Sequence, residues 1–200
     1  MKKTGIMGGT FNPIHNGHLA LARKAREQFA LDEILFIPCG EPYMKAAQKI
    51  PSGQIRAEMT ALAIREEAGF SLSTIEIDHP GNTYTYETLE RLKQETPDTE
   101  FYFILGADNL FQIPKWAKPE RIFANCRLLA AVRDDKTVAN MEAQIKYLEQ
   151  TSQAVIFLLK TECMDISSSE IRRKVADGVS IEADVPASVR AYIEEKGLYL

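Results

Sequence analysis

Two of the chain's three histidines, His15 and His18, stand just after a glycine pair, in the stretch Gly8-Gly9-Thr10-Phe11-Asn12-Pro13-Ile14-His15-Asn16-Gly17-His18. Glycines at 8 and 9 remove the Cβ atoms that would keep a phosphate away from backbone N–H groups, and they accept dihedrals other residues resist. Imidazoles around the start of a helix add two groups suited to an anion, because a helix N-terminus carries partial positive charge. The chemistry such a combination can perform is to bind and polarise a polyphosphate. A glycine-rich strand-to-helix turn with incidental surface histidines explains the glycines alone, but not the concentration of histidine within it.

A second cluster lies late in the chain, where Ile166-Ser167-Ser168-Ser169-Glu170-Ile171-Arg172 opens a helix. Serines cap helix starts, the N–H groups there point outward to an anion, and an arginine about one turn on can take phosphate oxygens bidentately. Gly81-Asn82-Thr83-Tyr84-Thr85-Tyr86 leads into another helix start, with Thr85 as the expected cap and N–H groups suited to a small carboxylate. The only tryptophan, Trp116, follows Ile113-Pro114-Lys115 in a turn, a position fitting a face that stacks on a flat ring. Gly106-Ala107-Asp108 ends an apolar run, and Arg133 ends the next one. Asp108 reads equally as the cap of a short helix, and Lys45 as an ordinary loop lysine. His79 reads as a turn residue.

These residues need elements to position them, and apolar strands alternate with amphipathic helices along the chain. Strands are expected over 4–7, 33–37, 70–77, 101–105, 127–132 and 154–159. Helices are expected over 17–29, 54–67, 86–95, 119–124, 138–149, 168–177 and 186–196. The 54–67 helix shows Ile55, Met59, Leu62 and Ala63 at helical spacing. Phe101–Leu105 is a nearly continuous apolar run, as in a strand buried on both faces. Repeated β–α units call for a doubly wound α/β fold, a parallel sheet covered by helices on both faces. Ligands of such sheets lie at the carboxyl ends of strands, where the glycine pair falls.

The 200 residues suit one α/β domain over 1–200, and 45% hydrophobic with 26% charged residues is an ordinary globular balance. A net charge of −4 argues against broad nucleic-acid binding, and no apolar run reaches the roughly 20 residues of a membrane helix. Cys39, Cys126 and Cys163 are far apart and have no metal-ligand spacing, so no protein-held metal is expected and the reading is a reducing cytoplasm. The sequence leaves a homo-oligomer open.

The first stretch resembles the nucleotidyltransferase superfamily marked by Gly-Gly-(Thr/Ser)-Phe-(Asp/Asn)-Pro-x-His-x-Gly-His, and the late cluster is similar to its Ile-Ser-Ser-(Thr/Ser)-x-(Ile/Val)-Arg signature. Within that superfamily the whole chain looks like the bacterial nicotinate-mononucleotide adenylyltransferases, which implies a Rossmann-like sheet. The resemblance implies ATP held by Gly8, Gly9, Thr10, Phe11, His15, His18, Ser167, Ser168, Ser169 and Arg172. It implies nicotinate mononucleotide held by Thr10, Lys45, Tyr84, Thr85, Gly106, Asp108, Trp116 and Arg133. His15, His18, Lys45 and Arg172 would be catalytic, and Mg²⁺ would arrive with ATP. Relatives commonly read Pro-Pro-His-Lys where this chain has Pro42-Tyr43-Met44-Lys45, and often carry Asn where it has Cys39.

The implied reaction is direct adenylyl transfer to an acceptor phosphate that is already ionised, so positioning and electrostatics supply the catalysis and no general base is needed. Phosphopantetheine adenylyltransferase shares the first motif and the reaction type, but needs neither the Thr83–Tyr86 segment nor Trp116. A cytidylyltransferase fits less well. The reading from another class is a catalytically silent nucleotide-binding module.

Overall fold

The computed structural model describes residues 1–40, 50–79, 81–132, 135–161 and 166–200, without the side chains of 135–137. Its elements run β1 (Lys2–Gly9), α1 (Asn16–Phe29), β2 (Glu33–Pro38), α2 (Gly53–Ile64), β3 (Phe70–Leu72), α3 (Thr85–Glu95), β4 (Thr99–Gly106), α4 (Ala107–Gln112), α5 (Pro119–Asn125), β5 (Arg127–Val132), α6 (Asp135–Thr151), β6 (Ile156–Lys160), α7 (Ser168–Ala176) and α8 (Ala187–Lys196). A 3-10 turn, Ile113–Lys115, joins α4 to the Trp116 segment. One six-stranded sheet has the order β3-β2-β1-β4-β5-β6, the doubly wound arrangement expected. Pairing is parallel between β1 and β4, β4 and β5, and β5 and β6.

The chain divides into two compact units. The first is Met1–Met7, Leu21–Ile34 and Thr83–Cys163, and the second is Gly8–Ala20, Leu35–Asn82 and Met164–Leu200. In the first unit Phe101 to Leu105 are all buried, as are Leu128 to Val132, so these strands have no solvent face to mark with polar residues. In the second unit α2 and α8 bury Met59, Ala63, Val189 and Ile193, and the Ser188 hydroxyl donates to the Leu62 carbonyl at 3.1 Å. The Lys174 ammonium ties α7 to Asp184 at 2.8 Å, and the Asp184 carbonyl receives the Asn16 N–H at the start of α1, also at 2.8 Å.

Four local expectations are corrected. The 70–77 strand is only Phe70–Leu72, because Ser73 Oγ and the Thr74–Asp78 pair close a turn: Thr74 Oγ1 donates to Asp78 and the Asp78 N–H to the Thr74 carbonyl. Thr85 does not cap α3. Tyr84 takes that place in extended conformation without a side-chain bond, and Thr85 is the first helical residue. Asp108 likewise lies inside the first turn of α4, with Gly106 before it. The buried face of α2 keeps Met59 and Ala63 of the expected stripe, but Ile55 and Leu62 are only half-buried and Arg56 and Thr60 are buried beside them, with the Thr60 hydroxyl donating to the Arg56 carbonyl at 2.7 Å.

Candidate functional site

Between β1 and α1 the chain forms no ladder, so its carbonyls need donors from elsewhere. Distant residues of the second unit supply them. Cys39 N–H donates to the Gly9 carbonyl at 2.8 Å, and Arg56 Nη1 to the Thr10 carbonyl at 2.8 Å. Arg172 Nη1 donates to the Asn12 carbonyl at 2.8 Å, and Ser168 Oγ to the Pro13 carbonyl at 2.9 Å. A trans peptide is planar, with its N–H opposite its C=O. Drawing the Gly9 and Thr10 carbonyls inward therefore turns the Thr10 and Phe11 N–H groups the other way. This is how a loop presents N–H groups to an anion.

Phe11 is part of the support for this loop. It is buried with φ of 47°, and a Cβ on Gly9 would come within 3.1 Å of its ring. The ring packs on Phe36 at 6.0 Å between centroids and meets the edge of His18 at 5.2 Å. Of the ATP contacts implied for Phe11, only its backbone is suited to one.

The imidazoles of His15 and His18 stack at 3.7 Å between centroids and 26° between planes. Gly17 permits this: a Cβ there would sit 3.1 Å from His15 Nδ1. The His15 N–H donates to His18 Nδ1 at 3.3 Å, so the proton of the neutral His18 ring belongs on Nε2, a donor for phosphate oxygen. His15 is buried and His18 half-buried. The first N–H of α1 is taken by the Asp184 carbonyl, so that donor of the helix end is already used.

At α7, Ser167 caps the helix by accepting the Glu170 N–H at 3.2 Å, and its hydroxyl lies 3.2 Å from that of Ser169. Ser168 spends its hydroxyl on Pro13, and Arg172 uses one of a guanidinium's five N–H donors on Asn12. The two sequence motifs are thus joined by direct hydrogen bonds. Tyr199 adds a third tie, its hydroxyl donating to Asn12 Oδ1 at 2.8 Å. Burial pushes the Tyr199 phenol well above its ordinary value, while the positive charges of Arg172 and Arg56 pull it back. Two guanidinium charges therefore act on the same loop.

Of the residues read as holding a mononucleotide, Tyr84, Thr85, Gly106, Asp108 and Trp116 fall in the first unit and Thr10 in the second. Trp116 is half-buried, and the ring of Phe103 meets it at 6.3 Å and 85°, an edge contact that fixes the indole plane. Tyr84 stacks on Tyr86 at 6.0 Å, and Tyr86 is in turn covered by Arg121 at 4.4 Å and Lys118 at 4.9 Å. Among the described residues nothing stands within 4 Å of where a Gly106 Cβ would lie, and Asp108 beyond it is exposed. Lys45 and Arg133 lie outside the described residues.

Sequence reasoning missed Arg56 and Tyr199. Arg56 lies among apolar residues of a helix, where a charged residue is ordinarily read as surface, although it is 1% exposed. Tyr199 has no motif, and only the folded chain brings it to Asn12. Among the described residues there is no cluster of His, Cys, Asp and Glu able to hold a metal ion.

The cytidylyltransferase-like family profile matches residues 6–174. A Lachnoclostridium phytofermentans protein named "Probable nicotinate-nucleotide adenylyltransferase" is 44% identical over 100% of both chains. A Dehalococcoides mccartyi protein of the same name is 45% identical over 98% of this chain and 97% of its own. The Plasmodium falciparum nicotinic acid mononucleotide adenylyltransferase, solved in complex with NaAD, superposes with a TM-score of 0.81 at 22% identity, covering 100% of this chain and 98% of that one. The same enzyme complexed with APC gives 0.79. At that identity the two structures speak for the fold.

Proposed function

The chain belongs to the nicotinate-nucleotide adenylyltransferases, and on that premise we propose that it joins the AMP moiety of ATP to nicotinate mononucleotide, giving deamido-NAD and pyrophosphate. An oxygen of the mononucleotide phosphate bonds to the α-phosphorus of ATP. The bond from that phosphorus to the β-bridging oxygen breaks, and its electron pair leaves with pyrophosphate. No proton need be removed from the attacking group, so the protein's task is alignment and neutralisation of charge.

The observation that carries this reading is the hydrogen-bonded junction of the two motifs, Ser168 on Pro13 and Arg172 on Asn12, beside the stacked His15 and His18. Gly8, Gly9, Thr10 and Phe11 offer backbone N–H groups to the triphosphate. His15 and His18 serve its phosphates, with His18 nearest the α-phosphate. Ser167, Ser168, Ser169 and Arg172 hold its β,γ end, the first two through the backbone of the helix start. Imidazole, guanidinium, hydroxyl and N–H donors suit phosphate oxygens rather than a bare cation. ATP accordingly enters as its Mg²⁺ complex, the ion taking its ligands from phosphates and water.

The mononucleotide is assigned to Trp116 for its pyridine ring, Tyr84 and Thr85 for its carboxylate, and Gly106, Asp108 and Arg133 for the nucleotide end, with Lys45 and Thr10 at its phosphate. The two compact units are taken to act as one domain over 1–200. No helix among the described residues is long and apolar enough to cross a membrane, and thiols without metal or disulfide spacing favour the cytoplasm.

The test is pyrophosphate release from ATP with nicotinate mononucleotide, nicotinamide mononucleotide or phosphopantetheine as acceptor. Preference for the first supports the proposal. Preference for phosphopantetheine transfers the chain to the competing reaction, and no release with any acceptor leaves a silent nucleotide-binding module.

A further inference from the structure

Arg56 has no part in the roles assigned so far, yet its guanidinium is bonded throughout. Nε donates to the Pro51 carbonyl at 3.1 Å, Nη1 to the Thr10 carbonyl at 2.8 Å, and Nη2 to the carbonyls of Cys39 and Gly40, both at 2.7 Å. The Cys39 thiol lies 3.6 Å from Nη1. Burying a charge is costly unless polar groups surround it, and here backbone carbonyl dipoles do so. Replacing buried charged groups by packed apolar ones is often neutral or stabilising, so stability alone is a weak reason for an arginine here.

We propose that Arg56 is a positioning residue for adenylyl transfer, one that sets the phosphate loop without touching substrate. Its planar fork grips three separate pieces of backbone at once: the loop after β1, the end of β2 and the approach to α2. By holding the Thr10 carbonyl it fixes the peptide plane whose other side is the Phe11 N–H. By holding the Cys39 carbonyl it fixes the plane that carries the Gly40 N–H, next to the Cys39 N–H that anchors Gly9. The spread of its donors explains the residue type. A lysine ammonium is a single point and cannot span the Thr10, Gly40 and Pro51 carbonyls in one plane. The charge is also placed behind the loop, where it favours the approach of a polyanion.

This inference rests on the proposed activity, and one experiment separates the two. Wild type, Arg56→Lys and Arg56→Gln are assayed with ATP and nicotinate mononucleotide, and folded protein is counted by near-ultraviolet circular dichroism and thermal melts. Absence of product from wild type fails the proposed activity. With wild type active, the expected result is a folded Arg56→Lys whose kcat per folded molecule falls roughly 10- to 100-fold, the scale of a small misalignment. KM for ATP rises, and KM for the mononucleotide, whose phosphate Thr10 is also assigned to meet, rises with it. Millimolar guanidinium restores part of the kcat of a folded Arg56→Gln. Wild-type kcat and KM for ATP in the folded fraction of either variant would overturn the proposal. Failure of both variants to fold would overturn it too, assigning Arg56 to stability alone.

Discussion

His15 lies against His18 ring to ring, and the space for that contact is the missing side chain of Gly17, whose Cβ would stand 3.1 Å from His15 Nδ1. The spacing His-x-Gly-His is therefore a packing requirement as well as a motif. Gly17→Ala is expected to shift the His15 ring by a few tenths of an ångström and to lower kcat by less than a histidine loss does, with a thermal midpoint still close to wild type. His18→Ala should lower kcat by about 100-fold or more, the usual cost of removing one preorganised donor, while the fold survives. Steady-state kinetics beside a thermal melt decide both. Near-normal turnover of His18→Ala would remove that histidine from the chemistry.

Arg172 braces the Asn12 carbonyl and is assigned to the β,γ-phosphates, so its loss should strike ATP first. Arg172→Lys retains charge but not the fork. We expect KM for ATP to rise about 10-fold or more, since each factor of ten corresponds to about 1.4 kcal/mol, with KM for the mononucleotide nearly unchanged. A matching rise for both substrates would point to general distortion of the loop instead.

Trp116 is held edge-on by Phe103, which fixes the plane of its indole. Trp116→Ala should weaken nicotinate mononucleotide far more than ATP, by the roughly 1–3 kcal/mol of one stacked ring. Trp116→Phe should recover part of the loss. Isothermal titration with each substrate separately checks this, and equal weakening of both would make Trp116 a structural anchor.

Glu100 supplies a pH prediction away from the site. Its hydrogen bond from the Tyr102 hydroxyl, then the bond and charge of Arg127, hold its carboxyl below the ordinary value against the opposing effect of burial. A depressed native value means the unfolded chain binds the proton more readily. The stabilisation is therefore complete above the unfolded value, near pH 4.3, and is lost as pH falls through the native one. Arg127 is 41% exposed, so solvent screens the pair and the contribution is below about 1 kcal/mol. Glu100→Gln should melt slightly below wild type at pH 7, and the gap should close as pH falls through the native value of Glu100. A gap that widens in acid would refute the assignment.

The order of strands and helices was legible in the sequence because parallel strands buried on both faces leave apolar runs, as in Phe101–Leu105, and surface helices leave a 3.6-residue period. What blurred was local. Phe70–Ile77 alternates like a strand, but Ser73 Oγ accepts the Ile75 N–H, Thr74 Oγ1 donates to the Asp78 carboxylate, and the turn they close stops it at Leu72. Tyr84 and Gly106 precede their helices without any capping side chain, so nothing in residue type marks the start.

By itself the sequence determined which groups could meet a phosphate: a glycine pair, two imidazoles, a serine-rich helix start and Arg172, all short-range patterns fixed by local geometry. Only the tertiary structure decided what holds them in place. The carbonyls of residues 9, 10, 12 and 13 are anchored by Cys39, Arg56, Arg172 and Ser168 respectively, and Tyr199 fastens the Asn12 side chain. A loop without a ladder must take its hydrogen-bond partners from wherever the fold brings donors close. Such partners follow no sequence spacing, which is why a buried arginine in an apolar helix and a tyrosine near the last residue gave no signal until the chain was folded.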